Sequence, residues 1–247
     1  GYAVQVMLDD LEISQGFDIQ VKKGIPLCSG LGGSAASSVA AVFALNQFLQ
    51  SPLSKTELVK YPLMAESIAC GSAHPDNVVP CLWGGLTLIT NTEPVEVIEL
   101  PKPAIHLVMM HPNYEIATAE ARAVLSSELS LSTHIKQSAK LAAMVSALYE
   151  NNPQKFAQSC QDELIEPQRA HLLPGFADIK QAALNNGALS CSFSGAGPTM
   201  YALVQTLKSA EAVQYAMQDA MAFNGFESDT WIINMQNLSG PEITCTS

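Results

Sequence analysis

The sequence predicts an α+β protein of two domains, and three observations carry that reading. Short stretches with strand periodicity and longer stretches with helical periodicity are interleaved without a regular strand–helix–strand repeat. The length of 247 residues, 48% of them apolar, suffices for two modest cores. Pro101-Lys102-Pro103 interrupts the pattern near its middle and is read as the domain linker. The expected domains are therefore residues 1–100 and 101–247.

In chain order, VQVMLDDLEI reads as the end of a helix already under way. FDIQVKK follows, with Phe17, Ile19 and Val21 alternating against polar neighbours, which predicts a strand. The glycine-rich SGLGGSAAS then opens a helix over residues 33–50, stopped by Ser51-Pro52. Ser54 with Glu57 three residues on forms a capping box and starts a helix to about residue 69, ended by Gly71. In HPDNVVPCLWGG, Pro75 suits the first turn of a short helix, and strands at TLIT and VEVIEL complete the first half. Beyond the linker, AIHLVMM predicts a buried strand, followed by helices over 118–127, 133–150 and 153–164. NNGALSCSFSGAGPTMYALV predicts two apolar strands joined by the turn Gly195-Ala196-Gly197-Pro198, before a helix over 208–223 and a strand SDTWIINM.

Composition removes whole classes of partner. With 12 basic against 23 acidic residues the formal charge is −11, and no basic stretch could neutralise the phosphates of a nucleic acid or an anionic membrane. An acidic chain that binds a polyanion needs a local device, such as backbone amides with a metal ion. The six cysteines lie far apart with no C-x-x-C pair, so neither a zinc site nor a disulfide framework is expected, and a reducing cytoplasm fits best. No apolar run is long enough to span a bilayer, and no signal peptide opens the chain.

The glycine loop is the first candidate site. Glycines clustered at a helix start imply positive φ or close approach to a ligand, and the free amides at the positive end of the helix dipole suit a phosphate. The alternative is an ordinary turn capped by Ser34. A Walker A loop is excluded, since no lysine occurs between Lys23 and Lys55. Gly30, Gly32 and Ala35 match the dinucleotide fingerprint literally, but its ribose-binding acid would fall in SPLSKTE, a helix start.

Two further groups stand out. Arg122 and Arg169 are the chain's only arginines, which hints at planar, bidentate recognition of a carboxylate, against the plainer reading of two surface charges. Thr118 lies four residues before Arg122 and so shares its helix face. His74, Asp76 and Asn77 crowd one short turn, as pocket residues or as helix caps. His106, His111, His134 and His171 show no ligand-like spacing and read as structural or exposed.

GIPLCSGLGGSAASSVAA resembles the phosphate-loop motif P-x-x-x-G-L-G-S-S-A-A of the GHMP kinases, named for galactokinase, homoserine kinase, mevalonate kinase and phosphomevalonate kinase. Gly33 stands where the family has the first of two serines, and Ser34 matches the second. GSAHPDNVVPCLWGGL, TAEARAVL, EPQRAHLLPGF and SFSGAGPTMYAL are similar to the homoserine kinases within that family. The resemblance runs from Phe17 onward and implies a two-domain GHMP-kinase-like α+β fold whose N-terminal part is truncated here. It further implies ATP held by Pro26, Ser29, Gly30, Leu31, Gly32, Gly33, Ser34 and Ala35, with Mg²⁺ on Ser34 and Glu66. Substrate contacts carried over are His74, Asp76, Asn77, Thr118, Arg122, Arg169 and Gly195, with L-homoserine as the small-molecule substrate and O-phospho-L-homoserine, a threonine precursor, as the product. Asp76 is expected to pair with the α-ammonium, no catalytic base is assigned, and a homodimer is one candidate assembly. A mevalonate-type kinase and an inactive nucleotide-binding fragment are the alternatives.

Overall fold

A computed structural model describes residues 1–70 and 75–244, apart from the side chains of Ala69, Cys70 and Thr118. The chain forms two compact units. The first comprises residues 1–25, 32–100 and 238 onward, and the second residues 26–31 and 101–237.

In the first unit, helix α1 (Tyr2–Asp10) precedes α2 (Gly33–Asn46), α3 (Lys55–Leu58), α4 (Lys60–Cys70) and α5 (Pro75–Trp83), and the antiparallel hairpin β1 (Leu86–Thr92) and β2 (Val95–Leu100) follows. Ala35, Val39, Val42 and Leu45 fall on one face of α2 and are buried with Met7, Leu58, Tyr61, Val78 and Leu82. Helix α2 ends four residues short of the expected position. Asn46 is buried and its amide both donates to the Leu53 carbonyl at 2.9 Å and accepts from the Leu53 N–H at 2.8 Å, which folds the chain back. The capping box forms: the Ser54 hydroxyl accepts from the Glu57 N–H, and the Glu57 carboxylate accepts from the Ser54 N–H. The single helix expected after it divides at Val59 into α3 and α4, because Pro62 has no N–H for the Leu58 carbonyl and belongs in the first turn of a new helix.

The strand expected at residues 17–23 does not form. Its alternation is genuine, but its main chain makes no ladder with any other described segment, and Ile19 and Val21 are 46% and 52% exposed. Period-two patterning needs a neighbouring strand to become a sheet, and only Phe17 finds a partner, its ring 5.5 Å from that of Phe48.

The second unit contains β3 (His106–Pro112), α6 (Thr118–Ala123), α7 (Leu131–Tyr149), α8 (Pro153–Ser159), α9 (Glu166–Arg169), α10 (Phe176–Asn185), β4 (Ser190–Phe193), β5 (Met200–Val204), α11 (Leu207–Phe223) and β6 (Ser228–Asn234). Its antiparallel sheet runs β4-β5-β3-β6, with Met109 opposite both Tyr201 and Trp231. The interior place of β3 explains its apolar run. Val108, Met110, Ala202 and Val204 pack with Ile179 and Ala183 of α10 and Val213, Met217 and Met221 of α11. Helix α8 stops five residues early because the Asp162 carboxylate takes the N–H groups of Leu164, Ile165 and Glu166 and turns the chain. Helix α10 is not among the elements the sequence predicts: its N-cap is Gly175, at φ +75°, which offers no capping side chain to announce it. Ile179 is fully buried in this core, so Ile179→Ala is expected to lower unfolding free energy by about 2–5 kcal/mol, measured by denaturant titration.

No described helix is long and apolar enough to cross a membrane. Among the described residues Cys28, Cys81, Cys160 and Cys191 are free thiols, and burial pushes the Cys160 and Cys191 thiols up to about 12.

Candidate active site

The glycine loop shows both features that its composition implies. Gly30 and Gly32 occupy the left-handed region at φ +74° and +66°. Gly32 is the N-cap of α2 and carries no capping side chain, so the first-turn amides of Gly33, Ser34 and Ala35 take no side-chain cap. The plain alternative, a turn capped by Ser34, is not what forms. Space around the loop is also restricted: a Cβ on Gly32 would stand 3.1 Å from Asn77 Oδ1. Not every loop amide is available, since the Leu31 N–H donates to Ser29 Oγ at 3.3 Å. Ala35 is fully buried and its methyl group belongs to the core of the first unit.

Ser34 instead donates its hydroxyl to Glu66 Oε1 at 2.7 Å. Helix α4 places Glu66 inside the first unit, where it is only 5% exposed, not on a solvated face as an isolated carboxylate would be. Its charge acts on its surroundings: burial first, and then Glu66, pushes the Cys81 thiol above its ordinary pKa. A buried carboxylate beside a hydroxyl at a helix N-terminus is an oxygen-only donor pair. That fits Mg²⁺, which takes one or two protein oxygens and fills its shell with phosphate and water. No group of three His, Cys, Asp or Glu that could hold a metal occurs among the described residues.

Asp76 and Asn77 occupy the exposed first turn of α5, with Pro75 at its start as expected. His74 lies outside the described residues.

In the second unit the loop's entry is gripped by the other glycine turn. Ser29 is 3% exposed and its carbonyl accepts from the Thr199 N–H at 3.3 Å, while Ser194 Oγ donates to the Gly30 carbonyl at 3.2 Å. A Cβ on Gly30 would collide with the Ser194 carbonyl and lie 2.8 Å from that of Gly197, and one on Gly195 would lie 2.9 Å from the Gly30 carbonyl. Each segment needs glycine because the other is there. Pro26 lines a recess of about 350 Å³ with His111, Asn113, Glu227, Ser228 and Asp229.

The two arginines meet in this unit. Arg122 lies in the last turn of α6, and Thr118, whose side chain lies outside the described atoms, opens that helix. Arg169 ends α9, and its Nε donates to the Ala121 carbonyl at 2.8 Å and its Nη1 to the Gly195 carbonyl at 3.1 Å. Burial lowers the Arg169 pKa; Asp162 opposes that shift and the positive charge of Arg122 adds to it. The two guanidiniums lie close enough for their like charges to repel, and one of them is partly desolvated.

Ser194 and Thr199 are not among the site residues that the sequence singles out, and the contacts that tie them to Ser29 and Gly30 are not visible in it either. Their partners lie far away along the chain, and no local spacing announces such contacts.

The chain matches two family profiles, GHMP kinases N terminal domain over residues 1–85 and GHMP kinases C terminal over residues 144–222. It is 38% identical over 240 residues to a homoserine kinase of Chlorobium phaeobacteroides (strain BS1), covering 94% of this chain and 75% of that protein. It is 41% identical over 232 residues to a homoserine kinase of Xylella fastidiosa (strain 9a5c), covering 94% and 71%. The crystal structure of homoserine kinase from Cytophaga hutchinsonii superposes with a TM-score of 0.91 at 38% identity, over 96% of this chain and 76% of that one. More distantly, the L. major mevalonate kinase in complex with R-mevalonate shares the fold at a TM-score of 0.64 and 18% identity, over 93% of this chain and 75% of that one. With relatives this similar over most of both lengths, the chain belongs to the GHMP kinases and, within them, to the homoserine kinase family.

Proposed function

We propose that this chain transfers the γ-phosphoryl group of ATP to the side-chain hydroxyl of L-homoserine, giving O-phospho-L-homoserine for threonine synthesis. The observation that carries the reading is membership of the homoserine kinase family along most of the chain, whereas the mevalonate kinases share only the fold. A cytoplasmic setting accords with the free thiols.

Phosphoryl transfer asks mainly for positioning and for stabilisation of charge. The Gly33, Ser34 and Ala35 amides and the α2 dipole supply fixed positive potential for phosphate oxygens. Ser34 and Glu66 would hold Mg²⁺, which when bound would neutralise the charge on the phosphates. Arg122 and Arg169 are assigned to the substrate carboxylate, and Asp76 to its ammonium. No side chain is assigned as a base, because a loose phosphoryl-transfer transition state needs little help from one.

The reading is tested by incubating the protein with ATP, Mg²⁺ and either L-homoserine or mevalonate and following the phosphate ester by ³¹P NMR. A new ester with homoserine and none with mevalonate is the expected result; the reverse pattern overturns the assignment. Steady-state kinetics then test the arginines. Arg122→Ala removes a charge-assisted pair worth roughly 1.5–3 kcal/mol, so the KM for homoserine should rise about ten- to a hundredfold. Arg122→Lys should recover only part of this, lacking the planar fork. Arg169→Ala should do more damage than Arg122→Ala, because it also releases the Ala121 and Gly195 carbonyls. An unchanged homoserine KM in all three variants would return both residues to the surface.

A further inference from the structure

We propose that Thr199, anchored by His111, is a positioning residue that fixes the entry to the glycine loop and so sets the affinity for nucleotide. The inference rests on the reading of that loop as a phosphate cradle and adds the residue pair that holds it in place.

Thr199 is completely buried, and every polar group it has is committed. Its N–H donates to the Ser29 carbonyl at 3.3 Å, its carbonyl accepts from the Ser194 N–H at 2.8 Å, and its hydroxyl bonds His111 Nδ1 at 3.0 Å. The first bond reaches the loop directly, and the second holds Ser194, whose own hydroxyl donates to Gly30. One buried threonine thus acts on the two consecutive carbonyls at which the loop turns into its left-handed glycines.

The third bond decides where Thr199 itself sits. His111 belongs to β3, an interior strand paired with β5 on one side and β6 on the other, where His111 is opposite Asp229. His111 is held by the ladder between β3 and β6, whereas residues 194–198 form a turn outside the regular strands. Burial lowers the His111 pKa against the opposing pull of Asp229, and so favours the neutral ring, in which one nitrogen donates and the other accepts. A hydroxyl with no exposure must be satisfied, and here its partner ties a turn to a sheet. Without that tie, the Thr199 N–H would sample a wider range of positions and the Ser29 carbonyl with it. The loop would then have to be ordered at the moment of binding, which lowers affinity without removing any direct contact.

The test measures binding of a non-hydrolysable ATP analogue by calorimetry, together with the KM for each substrate. Thr199→Val keeps the shape and both backbone bonds and deletes only the hydroxyl. It is expected to weaken nucleotide binding about three- to tenfold, the size of one hydrogen bond, and to leave the homoserine KM within about twofold. Thr199→Ser restores the hydroxyl and should return affinity to within about twofold of wild type. His111→Leu breaks the same bond from its half-buried end and should reproduce the Thr199→Val loss, and it decides the question if Thr199→Val does not fold. The proposal is overturned if a folded variant lacking the bond binds nucleotide like wild type, if both KM values rise together, or if serine fails to rescue. Failure of the wild-type protein to bind the analogue would instead overturn the phosphate-loop reading itself.

Discussion

Gly32→Val is expected to reduce nucleotide affinity by roughly a hundredfold or more while the protein stays folded, and two separate effects combine to produce it. The first is conformational: Gly32 sits at φ +66°, and a β-branched residue is strained there whatever space surrounds it. The second is steric. The added Cβ would already stand 3.1 Å from Asn77 Oδ1, and the two methyls add bulk directly before the amides of Gly33 and Ser34 that the phosphates should meet. Gly32→Ala separates the two, since it carries the backbone strain and the Asn77 contact without the branch, and it should lie between wild type and valine. The Asn77 amide ends a flexible side chain in the exposed first turn of α5, so it can give way and the unit's core need not respond. Calorimetric titration with nucleotide, with circular dichroism as the folding check, reads the result. A folded Gly32→Val protein with unchanged affinity would remove the loop from the binding site.

What makes that experiment specific is also what made the loop legible. Gly30, Gly32 and Ser34 lie within five residues, so their constraint is local and chain spacing alone exposes it. The same holds for the Ser54–Glu57 capping box, the Pro75 helix start and the two glycine turns. Legibility fails where the cause lies far off in the chain. FDIQVKK alternates as a strand should, yet alternation is a property of one segment and pairing a property of two, and no described segment pairs with it. The early end of α2 depends on Asn46 finding Leu53, and that of α8 on Asp162 turning the next residues inward. Within the site, the Ser34–Glu66 bond spans 32 positions and the His111–Thr199 bond 88, distances at which no periodicity operates. Glu66 entered the reading through resemblance alone, because a carboxylate near a helix end ordinarily faces water. Its burial is the observation that separates it from such a residue.

Glu66→Gln should accordingly lower turnover by about a hundred- to a thousandfold at limiting Mg²⁺, with a much smaller change in affinity for metal-free nucleotide. The substitution is nearly isosteric, and the glutamine carbonyl can still accept from the Ser34 hydroxyl, so the contact between α2 and α4 survives and only the negative charge is removed. A neutral amide oxygen is a far weaker ligand for a hard dication than a carboxylate, whereas the loop amides that meet the phosphates are untouched. The variant also has a readout independent of activity. Burial and the Glu66 charge together raise the Cys81 thiol pKa, so deleting the charge should move that pKa down toward the value that burial alone would set. Adding Mg²⁺ to the wild-type protein should shift Cys81 in the same direction, since a bound dication offsets the same carboxylate, and it should do nothing in Glu66→Gln. Thiol titration with an alkylating reagent across pH, with and without Mg²⁺, follows both. If the glutamine protein turns over normally at limiting Mg²⁺ while its Cys81 pKa falls as expected, the charge has been removed and the metal never needed it, which makes Glu66 a structural partner of Ser34 and nothing more.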